Sequence, residues 1–310
     1  MSTLDKIATA ALEAAGDTTP LRAHEPVGGG DISQAARLRT DRGEYLLKWG
    51  GRGLPGFFAA EARGLALLAA SGAVRVPTAL AWHDADNSED TETRRQGDKE
   101  IEDAVEPQSA ICNLQSAIAD KEASAGFILL EWLAAPPHAD RAAAAEQLGY
   151  ALATLHQATA PAYGLDADNY IGANPQPNGW MASWLHFFRD QRLGFQAELA
   201  RRNGRLGGER GRRMQQLLDR LDSWIDEGAT RPALLHGDLW GGNWLVGPDG
   251  GPALIDPAAY YGDREADLAF TTLFGGFPDA FYRAYAEASP LPAGWQARRD
   301  LYNLYHLLRG

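Results

Sequence analysis

The stretch His236–Asp256, HGDLWGGNWLVGPDGGPALID, decides the reading of this chain. It sets Asp238, Asn243 and Asp256 on a spacing that phosphoryl-transfer enzymes use for a reactive carboxylate and two divalent-metal ligands. At average residue frequencies the H-G-D-x-x-x-x-N portion arises by chance in on the order of one chain per thousand, so coincidence is a poor explanation. A hydroxyl that attacks a γ-phosphorus must be oriented and must lose its proton, which calls for a carboxylate beside it; Asp238 is the candidate. A triphosphate needs a divalent cation against its charge. Magnesium takes oxygen donors, which the Asn243 amide and the Asp256 carboxylate supply.

The local pattern agrees with that chemistry. Asp238 to Asn243 is too long a step for one helical face, and Gly241-Gly242 marks a loop. The apolar runs Pro232–Leu235 and Trp244–Val246 flank it at strand length. The turn Gly247–Gly251 then predicts a return strand, Ala253–Ile255, that delivers Asp256 beside Asn243.

Upstream, residues 2–15 read as a helix, with Ser2 able to cap it and Leu4, Ile7, Ala8, Ala11 and Leu12 as its apolar stripe. Gly28-Gly29-Gly30 precedes a hairpin made of Ile32–Arg39, the turn Thr40–Gly43 and Tyr45–Trp49. Glycines there let backbone N–H groups approach phosphate oxygens with no Cβ in the way. Of the four lysines, Lys6, Lys48, Lys99 and Lys121, only Lys48 lies inside an apolar strand. There a compact ammonium can meet α- and β-phosphates. The next helix, Pro55–Ala70, places Glu61 on an otherwise apolar line with Phe57, Leu65 and Leu68. A carboxylate buried there needs a cation, and Lys48 is its expected partner.

Val74–Trp82 reads as another strand. From about Asp84 to about Ser124 the chain turns acidic and poor in aromatics, which predicts a disordered insertion, with a short helix possible around Ile111–Ile118. Cys112 within it takes no role. Phe127–Leu130 reads as a buried strand running into Glu131-Trp132-Leu133 and the stop Ala134–Pro137. This is the pattern of a hinge whose backbone near Glu131 and Leu133 would meet an adenine edge.

Past the hinge the pattern is helical. Asp140 caps a helix carrying Leu148, Leu152 and Leu155, with His156 read as structural. Residues 161–180 read as a long, ordered-looking loop, and a helix bearing Trp184, Phe187 and Phe188 follows. Another helix is expected from about Glu209 to Glu227. Trp180 and Trp184 fit core packing better than a sugar platform.

Composition bounds the function. A chain of 310 residues suits two lobes, here 1–133 and 134–310, and 45% hydrophobic residues suits an ordinary globular protein. A net charge of −12 argues against nucleic acid and against anionic membrane as partners. One cysteine allows no internal disulfide, no apolar run reaches a membrane span, and residues 1–20 lack a secretion signal. The expectation is therefore a cytoplasmic protein.

With these motifs in hand, the chain resembles the fructosamine kinase family (fructosamine-3-kinase and ketosamine-3-kinase), a branch of the aminoglycoside-phosphotransferase-like kinases. The matching pieces are GGGDIS (Gly28–Ser33), the Lys48 strand, EARGL (Glu61–Leu65), NYIGANPQPNGW (Asn169–Trp180), HGDLWGGN (His236–Asn243), IDPAAYYGDREADLAF (Ile255–Phe270), LFGGFP (Leu273–Pro278) and LYNLYHLL (Leu301–Leu308). The resemblance implies an α+β, bilobal protein-kinase-like fold with a small β-rich N-lobe and a larger, mainly helical C-lobe. It implies ATP and Mg2+ as cofactors. The implied reaction is phosphorylation of the sugar 3-hydroxyl of ketosamines, free or on glycated protein lysines, after which the adduct decomposes. By position Asp238 resembles the base, and Asn243 and Asp256 the magnesium ligands. Lys48 resembles the phosphate-binding lysine with Glu61 its partner, Trp240 a residue that packs on the sugar, and Asp267 a brace for the catalytic-loop backbone. The acidic insertion and the stop at Arg309-Gly310 depart from the family pattern and leave dimerisation and substrate reach open.

Two other readings compete. One keeps the fold and changes the acceptor to an aminoglycoside, choline or homoserine-like alcohol; the NYIG and DPAAYYGDRE runs argue against it. The other is a non-catalytic, nucleotide-binding pseudokinase. Against it stands the joint presence of Lys48, Glu61, Asp238, Asn243 and Asp256, since an adaptor needs no base.

Overall fold

The structure, a computed structural model, describes residues 2–28, 33–50, 54–85, 125–275 and 277–309. Gly29, Gly30 and residues 86–124, and with them Cys112 and the Ile111–Ile118 stretch, lie outside the described residues. The chain divides into two compact units, 1–62 with 78–132, and 63–77 with 133–310.

In the first unit, α1 (Thr3–Ala14) begins where Ser2 and Asp5 form a reciprocal capping box that satisfies two end amides. Five antiparallel strands follow in the spatial order β1-β2-β3-β5-β4: β1 (Ala23–Pro26), β2 (Ser33–Arg39), β3 (Glu44–Gly50), β4 (Ala79–His83) and β5 (Gly126–Glu131). The stripe Ile7, Ala8, Ala11 and Leu12 of α1 packs on Ala36, Leu38, Leu47, Phe127 and Leu129. Side chains alternate across a strand, so Lys48, next to Leu47, points to the opposite face, where α2 (Phe57–Ala70) brings Glu61.

Two expectations change here. The strand expected over Val74–Trp82 is confined to Ala79–His83. Pro77 cannot donate to a ladder, and Arg75 instead makes an isolated parallel bridge to Ala253. Asp84, expected to open the disordered insertion, is a helix cap: its carboxylate accepts from Phe58 N at 2.8 Å and Ala59 N at 3.2 Å, in the first turn of α2.

The second unit is mainly helical. Asp140 caps α3 (Arg141–Leu155) through the Ala142 and Ala143 amides. Within residues 161–180, β6 (Asn169–Ile171) and β7 (Asn174–Gln176) pair as a short hairpin, which the loop reading did not include. Then come α4 (Trp184–Phe187), a π-helical turn (Phe188–Gly194), α5 (Phe195–Arg202) and α6 (Gly208–Leu218). The helix expected to Glu227 stops at Leu218. A short 3-10 turn, Leu221–Ser223, follows, and Leu221 and Ile225 are buried in the core. Trp184 is fully buried in that core, as expected, whereas Trp180 is exposed and stacks on Tyr261.

Two small antiparallel pairs carry the signature loop. β8 (Ala233–Leu235) pairs with β11 (Tyr260–Gly262), and β9 (Trp244–Val246) pairs with β10 (Pro252–Leu254). The chain ends with α7 (Glu265–Phe270), α8 (Asp279–Ala288) and α9 (Trp295–Leu307); α8 packs on α3 and α9 on α7.

Candidate active site

The loop between β8 and β9 presents Asp238 and Asn243. The connection from β10 to β11 presents Asp256. Three bonds lace these segments together: Ile255 N donates to Asn243 O at 3.0 Å, Ala258 N donates to His236 O at 2.9 Å, and His236 Nε2 donates to Ile255 O at 2.9 Å. His236 Nδ1 accepts from Asp238 N at 3.3 Å, so the ring is the neutral Nε2–H tautomer and serves as a staple. Gly237 has a φ of +82°, and a Cβ on it would lie 2.0 Å from Ala258 O, so only glycine fits between His236 and Asp238.

Asp238 is gripped at both carboxylate oxygens. Asn243 Nδ2 donates to its Oδ2 at 3.0 Å and to its backbone O at 2.8 Å, while Arg309 Nη1 donates to Oδ1 at 3.1 Å. Burial pushes the Asp238 carboxyl above the usual carboxylate range, and the Arg309 guanidinium and the Asn243 amide oppose that shift. With its NH2 committed to Asp238, Asn243 has Oδ1 as the amide atom that can meet a cation. Asp256 is exposed and held at a φ of +56°, a left-handed conformation uncommon for any residue but glycine. Among the described residues no group of three or more acidic, histidine or cysteine side chains could enclose a metal. The Asn243 amide oxygen and the Asp256 carboxylate are oxygen donors of the kind magnesium accepts beside water and phosphate.

Asp267 lies beneath the loop. Its Oδ2 accepts from His236 N at 2.7 Å and its Oδ1 from Gly237 N at 2.9 Å. His156, fully buried, backs it at 3.4 Å and meets the Tyr285 hydroxyl at 2.8 Å; burial lowers the imidazole's pKa against the pull of Asp267. Trp240 projects from the catalytic loop. Its ring folds over Gly242, where an added Cβ would come within 2.4 Å, and it meets Phe274 edge-on at 6.2 Å, both rings being exposed.

In the first unit the expected ion pair forms: Lys48 Nζ lies 2.6 Å from Glu61 Oε1, both side chains largely buried. Glu131 gives its N–H to Thr78 O at 2.9 Å and takes the Thr78 N–H and hydroxyl on Oε2. Gly28 ends the described part of the glycine run; Gly29 and Gly30 lie outside it. Leu133, in the second unit, is half-buried.

A model of the fructosamine kinase family matches residues 3–310. The chain belongs to the fructosamine kinase family. It is 37% identical over 294 residues to a probable ketoamine kinase of Synechocystis sp., covering 93% of this chain and 84% of that one. A crystal structure from Thermobifida fusca, provisionally described as a fructosamine-3-kinase, superposes with a TM-score of 0.74 at 31% identity over 97% of this chain and 90% of that one. An aminoglycoside phosphotransferase, 14% identical with a TM-score of 0.59 over 99% of this chain and 92% of that one, shares the protein-kinase-like fold. This fructosamine kinase family member is accordingly a phosphotransferase with an alcohol acceptor.

Two of the runs that carry the family resemblance, NYIGANPQPN and YYGDRE, make structural contacts outside the loop. In NYIGANPQPN, Asn169 Nδ2 donates to Ala259 O at 2.9 Å and Gln176 Nε2 to Ala258 O at 3.1 Å, pinning the backbone just past Asp256. Arg192, fully buried, holds Asn178 at 2.7 Å over the Tyr260 ring. In YYGDRE, Asp263 accepts from Tyr302, Glu265 pairs with both arms of Arg298, and Arg264 ties down Ser289 and Pro290. Sequence reasoning missed Phe274 and Arg309. The i, i+3, i+4, i+7 spacing of Tyr302, Tyr305, His306 and Arg309 is the signal that could have found the latter.

Proposed function

We propose that the chain transfers the γ-phosphoryl group of ATP, with magnesium, to the 3-hydroxyl of ketosamines of fructose or ribulose type, on free amines or on protein lysines, as a cytoplasmic deglycation step. The carrying observation is the carboxylate of Asp238, fixed at both oxygens on the loop that also bears the exposed Trp240.

In this reading the 3-hydroxyl donates to Asp238. As O3 bonds to the γ-phosphorus its proton passes to the carboxylate, and the bond from γ-phosphorus to the bridging oxygen breaks to leave ADP. Asn243 Oδ1 and Asp256 would hold magnesium, which neutralises triphosphate charge. Lys48, kept in place by Glu61, serves the α- and β-phosphates, and backbone N–H groups of Gly28–Gly30 serve the neighbouring oxygens. Backbone near Glu131 and Leu133 serves the adenine edge; with the Glu131 N–H given to Thr78, that amide is not among the donors. Trp240 and Phe274 offer apolar faces to the sugar ring.

Deglycation follows from the product's chemistry. Enolisation toward C1 lets the C3 phosphate depart as inorganic phosphate, and hydrolysis of the resulting imine frees the amine.

The test is ADP release from ATP and magnesium in the presence of fructosyl-lysine, ribulosyl-lysine, an aminoglycoside or choline. Release that depends on a ketosamine is expected. Turnover of the aminoglycoside or choline with none on either ketosamine overturns the acceptor, and nucleotide binding with no turnover on any of them overturns the enzyme reading.

A further inference from the structure

One face of α9 reaches four parts of the second unit in succession. The Tyr302 hydroxyl donates to Asp263 at 2.7 Å, and the Tyr305 hydroxyl donates to Gln176 at 2.7 Å. The His306 ring lies parallel to Phe270 with 3.4 Å between centroids, and one turn later Arg309 reaches Asp238. Arg309 N donates to His306 O, and the guanidinium lies 5.8 Å from the Phe270 ring, so Phe270 steadies both side chains. The register of the helix is thus fixed three times before the arginine meets the carboxylate. The ion pair is also well shielded, at 21% and 17% side-chain exposure, like Arg298–Glu265 and unlike exposed pairs such as Arg22–Asp41 and Arg202–Glu198.

We propose that Arg309 is a positioning residue for Asp238. Asn243 holds Oδ2 and Arg309 holds Oδ1, which together fix the plane of the carboxylate. A carboxylate oxygen accepts along two lone pairs, so the guanidinium on one leaves the other for the acceptor hydroxyl. With Arg309 gone, the carboxylate is held by Asn243 alone and can rotate about its bond to Cβ. The geometry of proton removal then spreads out while nucleotide binding stays as it was. The inference rests on Asp238 being the base.

The experiment compares Arg309→Met, Arg309→Lys and Asp238→Asn in the full chain by steady-state kinetics and thermal melting. Arg309→Met should lower kcat on the order of 10–100-fold, with the ATP KM within about twofold of wild type and an unchanged Tm. Arg309→Lys should recover part of the loss, because one ammonium donor can reach Oδ1. Wild-type kcat in Arg309→Met beside an inactive Asp238→Asn overturns the inference and leaves the base assignment standing. An active Asp238→Asn instead overturns the base assignment. Faster turnover or a lower acceptor KM in Arg309→Met overturns the inference too, since the guanidinium would then compete with the acceptor. So does a kcat loss matched by a lower Tm and no gain with Lys.

Discussion

As the proposed base, Asp238 would have to be both available to a hydroxyl and fixed in direction, and its surroundings serve the two needs separately. Burial disfavours its charge, while Asn243 and Arg309 bond to it from either side. Replacing it by Asn keeps the side chain's shape, removes the proposed base and turns one of the two accepting oxygens into a donor. Asp238→Asn is expected to lower kcat by roughly 10²–10⁴ with ATP affinity close to wild type, as read by steady-state kinetics and nucleotide titration. Asp256 should behave differently. Asp256→Ala is expected to abolish most of the difference between nucleotide affinities measured with and without magnesium; an unchanged difference would remove Asp256 as a metal ligand. At this scale much was legible, because Asp238, Asn243, Asp256, Lys48 and Glu61 are local motifs or residue types out of place on an apolar face. Phe274 and Arg309 were not, because each acquires its meaning from a contact across tens of residues of chain.

Elements show why some strong sequence signals are not substrate signals. The NPQPN and YYGDRE runs bond to backbone and buried partners, so their specificity reflects how this fold holds the loop. Asp267 is the plainest case, since its two oxygens take two successive amides of the catalytic loop. Asp267→Ala should orphan both, costing about 1–3 kcal/mol for each buried N–H in chemical denaturation, and kcat should fall together with stability. That pairing of effects separates a brace from a base.

In the first unit Asp17 ties the end of α1 to the β2–β3 turn, accepting from Thr19, from Thr40 at 2.7 Å and from Tyr45 at 2.9 Å. Burial alone would raise its carboxyl, but these bonds outweigh it and hold the pKa at about 2. A folded-state pKa below the unfolded 3.8 gives stability that is present above about pH 4 and lost as pH falls through about 2. Asp17→Asn should flatten that part of the acid-unfolding curve. Element boundaries were less legible than element types. The strand begins only at Ala79, past Pro77, the helix ends at Leu218 although the apolar spacing runs on to Leu221 and Ile225, and Asp84 caps α2 across a separation of 26 residues.

Across the molecule, composition excluded more than it identified. A net charge of −12 speaks against nucleic acid, and among the described residues no helix is long and apolar enough to cross a membrane. Family membership and the phosphotransferase activity rest on the match across residues 3–310. The acceptor position is the central claim added to them, and it is a statement about one bond. The direct test incubates the chain with ATP, magnesium and fructosyl-lysine and locates the new phosphate by phosphorus–proton correlation NMR. The account predicts coupling to the sugar H3, followed by slow appearance of free lysine and inorganic phosphate. A phosphate on any other hydroxyl, or a stable adduct that never releases the amine, would contradict it.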